Sequence, residues 1–137
     1  MVEIYGNYGK YPAKKIEGYE AVQGYDAIAK LLKEALKQKN GKIIVLETYT
    51  EVDTQEIIDG LKGLEADIFC AEDCMVSDRA YQDYIRQFVT DDRVFGIMNT
   101  LNIKDFYIEE SVREMRKKIA ASKNTVLVYG VGASHIC

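Results

Sequence analysis

With 137 residues, 47% of them hydrophobic and 29% charged, the chain has the size and composition of one globular domain, not of a disordered or coiled-coil protein. Its net charge of −4, with Lys and Arg scattered along segments that read as helices, gives no electrostatic footprint for nucleic acid. No apolar run approaches the roughly 20 residues that span a bilayer, and the opening Met-Val-Glu-Ile-Tyr-Gly lacks the basic and apolar regions of a signal peptide, so a cytoplasmic protein is expected.

Residues 1–24 form a Tyr- and Gly-rich arm whose single proline, Pro12, disfavours a helix; an extended segment laying Tyr rings on the body is expected. From Tyr25 the pattern is helical, with Ile28, Leu31, Leu32, Ala35 and Leu36 on one face, and Asn40-Gly41 supplies a C-cap. Ile43 to Leu46 is a continuous apolar run, as expected of a strand covered on both faces. The polar turn that follows leads into a helix capped by Asp53 or Thr54, with Ile57, Ile58, Leu61 and Leu64 as its apolar positions. Asp67 to Ala71 reads as a second strand, and Ser77-Asp78 caps a helix through about Val89 that carries Tyr81, Tyr84, Ile85 and Phe88. Asp91-Asp92 opens a loop into Arg93-Val-Phe-Gly, read as a short strand, and Ile97 to Phe106 is mixed. Ser111 to Ser122 is an amphipathic helix with Val112, Met115 and Ile119 inward, and Thr125 to Tyr129 is a third strand running into Gly130-Val-Gly-Ala-Ser.

Strands alternating with helices predict an α/β fold of three layers, a mainly parallel sheet flanked by helices on both faces. The whole of 1–137 reads as one domain. A strand and Gly-rich turn normally lead into a covering helix, and its absence from the pattern predicts a truncated domain.

Ligands of open α/β sheets bind beyond the carboxyl ends of the strands. Three segments fall there: Glu47 to Asp53, Glu72-Asp73 with Ser77-Asp78, and Gly130 to His135. The first is where a nucleotide-binding fold places its phosphate loop. That loop needs glycines, a Lys and a Ser/Thr for magnesium. Between Glu47 and Gln55 there is no Gly and no Lys, and Glu51 and Asp53 occupy the turn. The candidate ligand contacts are therefore Thr48, Thr50, Asp73, Arg93, Gly130, Gly132 and Ser134. Asp73 would bind a hydroxyl or accept a proton, Arg93 would contact phosphate, and the Gly130–Ser134 turn would cradle an anion with its N–H groups. The competing reading of these rims is helix capping and solvated loops. No catalytic residue is assigned, since His135 has no recognisable Ser or Cys partner. No metal site is expected either: Cys70 and Cys74 lack a second ligand pair, and the three cysteines make no disulfide framework.

Several segments together resemble a family. Asn7-Tyr-Gly-Lys-Tyr-Pro, Gly24-Tyr-Asp-Ala-Ile, Lys42-Ile-Ile-Val-Leu-Glu-Thr-Tyr, Thr90-Asp-Asp-Arg-Val-Phe-Gly and Val126-Leu-Val-Tyr-Gly-Val-Gly-Ala are similar to bacterial class I mannose-6-phosphate isomerase proteins. In these, a degenerate P-loop, uridine-kinase-like domain precedes a cupin isomerase domain. The resemblance implies a nucleoside-kinase-like strand order and an acidic segment at Ala71-Glu72-Asp73. It implies that zinc and its His and Glu ligands belong to a downstream cupin domain, with no cofactor in this chain. Family members carry Pro-Gly in the turn after the first strand, where Thr50-Glu51 stand here.

The leading expectation is a non-catalytic kinase-like domain that senses a sugar phosphate or nucleotide-like molecule, or packs on the cupin domain. One alternative is a phosphotransferase using the Gly130–Ser134 turn. Another is a protein-interaction module, in which the Tyr-rich arm could mediate a homo-oligomer.

Overall fold

The computed structural model describes residues 17–18, 21–92 and 94–137. Most of the Tyr/Gly-rich arm, and Arg93 among the predicted ligand contacts, lie outside the described residues.

The elements run α1 (Tyr25–Lys39), β1 (Ile43–Glu47), α2 (Thr54–Gly60), β2 (Asp67–Cys70), α3 (Asp78–Ile85), α4 (Glu109–Ala121), β3 (Val126–Gly130) and α5 (Ala133–Ile136). Short 3₁₀ turns fall at Lys62–Leu64, Ala71–Cys74, Arg86–Phe88 and Ile103–Phe106. Local chemistry sets several ends. Asn40 takes the left-handed conformation at φ 49°, and the Gly41 N–H donates to the Leu36 carbonyl at 2.9 Å, closing α1. Asp53 accepts from the Glu56 N–H at 3.1 Å to start α2, and Ser77 accepts from the Ala80 N–H at 3.4 Å to start α3.

The three strands are parallel in the order β1-β3-β2. Val45, Val128 and Phe69 share one row, and Ile44, Leu127 and Ile68 the next. Because successive strand side chains alternate in direction, these rows face opposite sides. On one side Val126 and Val128 pack with Val112, Met115 and Ile119 of α4 and with Ala133 and Ile136 of α5. On the other, Leu127 packs with Ala29 of α1 and with Leu61 and Leu64 beyond α2. The domain is thus α/β, a small parallel sheet between two helical layers.

Five sequence expectations need correction. Leu31, expected on the apolar face of α1, stands 51% exposed. Ile43 and Val45 remain 41% and 40% exposed, so β1 is not covered on both faces. It occupies a sheet edge, while β3, flanked by strands on both sides, takes the most buried place. The helix expected to run to Val89 tightens at Arg86 into a 3₁₀ turn. Val94 to Gly96 form no strand: Asp92 accepts from the Val94 and Phe95 N–H groups at 2.8 and 3.0 Å, holding a closed loop. A covering helix does follow the Gly-rich turn, as the single turn α5. Among the described residues no helix is long and apolar enough to cross a membrane.

Candidate functional site at the carboxyl edge of the sheet

The carboxyl ends of β1 and β3 meet at Glu47 and Gly130, which are register partners. The Thr48 N–H donates to the Gly130 carbonyl at 3.3 Å, carrying the pairing one residue beyond the strand. The chain then turns through Gly130 at φ 119° and Gly132 at φ 77° before α5 begins. Glycine is needed at Gly132 on two counts. Its φ lies where L side chains are disfavoured, and a Cβ there would sit 2.7 Å from the Tyr107 hydroxyl oxygen.

Three backbone donors of this turn, those of Val131, Gly132 and Ser134, are already engaged. The Glu47 carboxylate accepts from the Gly132 N–H through one oxygen and from the Ser134 N–H, at 2.9 Å, through the other. Glu72, on the turn after β2, accepts from the Val131 N–H at 3.2 Å. From the opposite side the Tyr107 hydroxyl donates to the Val131 carbonyl. Four side-chain bonds from three elements therefore latch a turn that the sequence offers as an anion cradle.

The electrostatics follow from those bonds. Burial alone would raise the Glu47 carboxyl, but the N–H groups of Ser134 and Gly132 outweigh it and hold its pKa below the ordinary value. Burial, together with the nearby Glu72 and Glu47 carboxylates, pushes the Tyr107 hydroxyl up to about 12, so it stays a hydrogen-bond donor at neutral pH. A bond to Cys70, then burial, raises Tyr129 to about 12 on the adjacent strand end.

Of the predicted contacts, Thr48, Gly130, Gly132 and Ser134 are brought together here, joined through Glu47 and the Thr48–Gly130 bond. Thr48 is 8% exposed, and its hydroxyl has no partner among the described residues. Thr50 and Asp73 stand exposed on the neighbouring turns. The turn after β1 holds Glu51 at φ 68°, a left-handed residue supplied without glycine. Sequence reasoning missed Glu47, Glu72 and Tyr107 as the residues that latch this turn. An acid ending an apolar strand was a visible signal for Glu47; Tyr107 lies in a segment without periodicity and had none. Among the described residues, no group of three or more His, Cys, Asp or Glu side chains is arranged to hold a metal ion.

A family model described as "Domain of unknown function (DUF8485)" matches residues 24–137. No curated protein and no solved structure matches the chain.

Proposed function

The chain belongs to the DUF8485 family over residues 24–137, and on that footing we propose that it is a non-catalytic α/β binding domain of kinase-like layout. The observation that carries this reading is the occupation of the β3 turn by its own carboxylates. A phosphate at that turn would meet Glu47 and Glu72 instead of free N–H groups, and would have to displace bonds to charged acceptors. The turn after β1 offers no substitute, having neither Gly nor Lys between Glu47 and Gln55.

Two observations support the kinase-like layout. The third strand lies between the first two, which differs from the 3-2-1 start of dinucleotide-binding sheets and the 2-1-3 start of flavodoxin-like sheets. The polar turn from β1 into α2 joins the first strand to a helix, the connection at which this reading expects a phosphate loop. In this reading the domain is the degenerate N-terminal partner of a mannose-6-phosphate isomerase, packing on a cupin domain or sensing a small ligand, with zinc held only downstream. Addition of magnesium–ATP to isotope-labelled protein should leave the Gly132 and Ser134 amide resonances in place and produce no phosphoryl transfer. A micromolar affinity that shifts those two amides would overturn the reading.

A second reading, a protein-interaction module, is favoured by the loop after α3. Thr90 donates to the Phe95 carbonyl at 2.8 Å, and Asp92 accepts from the Val94 and Phe95 amides, so the backbone of Val94 and Phe95 is tied down. It nevertheless displays Val94, Phe95 and Met98 at 77%, 73% and 88% exposure. Apolar side chains displayed from a preordered backbone bind partners at reduced entropic cost.

A further inference from the structure

We propose that the cleft between the Ile103–Phe106 turn, α4 and α5 binds a small organic phosphomonoester whose remaining part carries hydrogen-bond donors. The site is separate from the latched turn and shares only the Tyr107 wall with it. The cleft has a volume of about 430 Å³, within the range of small-molecule sites. Lys104, Arg113, Arg116 and His135 line it, as do the carboxylates Asp105 and Glu109. Three permanent cations thus converge on one concavity, in a chain whose net charge is −4.

The cations come from two elements, and Arg116 is held in place by hydrogen bonds. Lys104 rides on a 3₁₀ turn closed by a capping box, in which the Asn102 N–H donates to Asp105 at 2.8 Å. Arg113 and Arg116, three residues apart, share one face of α4. Arg116 donates through Nε to the Ile136 carbonyl at 2.9 Å and through Nη2 to the His135 carbonyl at 2.8 Å. Those bonds fix the guanidinium plane and use two of its five N–H donors. The His135 ring is set edge-on to Tyr107, with centroids 5.2 Å apart. Among the described residues, neither Lys104 nor Arg113 has a carboxylate at ion-pair distance, so their charges are uncommitted.

The lining also selects the ligand class. Cations approaching from two sides suit the dispersed oxygens of a phosphate better than a planar carboxylate, which one Arg fork satisfies. Inorganic phosphate would leave much of the cleft empty. The apolar wall of Tyr107 and Val112 can take a carbon skeleton, and Asp105 and Glu109 can accept bonds from hydroxyl groups.

Glycerol 3-phosphate is a suitable probe, followed by amide chemical shifts in the full chain, with inorganic phosphate and glycerol as comparison arms. It is expected to shift Lys104, Arg113 and His135 saturably, and to bind more tightly than inorganic phosphate, while glycerol does nothing. Lys104→Ala and Arg113→Ala alter exposed residues, and each should weaken binding about tenfold, the size of one lost charge-assisted bond. Lys33→Ala on α1 should leave binding unchanged. No saturable shift at tens of millimolar, or affinity that survives both cleft variants, would overturn the site. Equal affinity for phosphate and glycerol 3-phosphate would overturn the organic part of the ligand.

Discussion

Leu127→Ala is expected to lower the unfolding free energy by about 3 kcal/mol, within the range for leucine truncation in a packed core. Leu127 lies on the central strand and is 1% exposed. It packs with Ala29, Leu61 and Leu64, and Ile28, Leu32, Ile44 and Leu46 pack around the same cluster. Alanine there would leave a void shared by the strand, α1 and the turn after α2, none of which can collapse into it alone. With a urea slope of about 1.5 kcal/mol per molar, the denaturation midpoint should fall by about 2 M. Val128→Ala removes less volume from the opposite face. A midpoint for Leu127→Ala that moves less than that for Val128→Ala would show that the α1–α2 layer contributes little to the core.

Gly132→Ala should cost about 2–4 kcal/mol, from two sources that add at one atom. Alanine at φ 77° carries a left-handed penalty of about 1 kcal/mol. Its Cβ would also lie 2.7 Å from the Tyr107 hydroxyl oxygen and 3.1 Å from Ile103 Cγ1, an overpacking worth about 1–3 kcal/mol. Relief by moving the phenol would break its bond to the Val131 carbonyl. Gly63→Ala is the internal comparison, since a Cβ there meets nothing within 4 Å; its change should stay within about 0.5 kcal/mol. Equal effects for the two glycines in urea denaturation would remove the steric account of the turn.

Much of the framework was legible in the sequence because its causes are local. The helical spacing of Ile28, Leu31, Leu32, Ala35 and Leu36 marks α1, although Leu31 turns outward, and Asn40-Gly41 marks its end through a left-handed residue the structure contains. Asp53 and Ser77 act as the caps their side chains suit. What the sequence hid is non-local. The apolar run of β1 looks like that of β3, yet one lies at an edge and the other in the centre, and strand order is decided only on assembly. The latch joins Glu47 to partners 85 and 87 residues away, and Glu72 to one 59 away. No spacing rule connects such positions. The Gly130–Ser134 turn therefore reads as an anion cradle in the sequence, with no sign that the protein's own carboxylates bond to its amides. Arg116 has the sequence context of any charge on an amphipathic helix, yet it holds the carbonyls that end α5 and walls the cleft.

The closure of the β3 turn by Glu47 carries a definite dependence on pH. Its folded pKa lies below the ordinary value of 4.5, so the latch stabilises the fold fully above about 4.5. That contribution is lost as pH falls through the folded pKa and the carboxylate gains its proton. Its size is reduced by the solvent exposure of Glu47 and Ser134. Titration of the Glu47 side-chain carboxyl by carbon NMR, with the Gly132 and Ser134 amides followed in parallel, reads the latch directly. The expected result is a midpoint below 4.5, with both amide resonances moving in the same transition. A midpoint at or above 4.5 with the two amides unmoved would contradict the closed turn, and with it the non-catalytic reading of this domain.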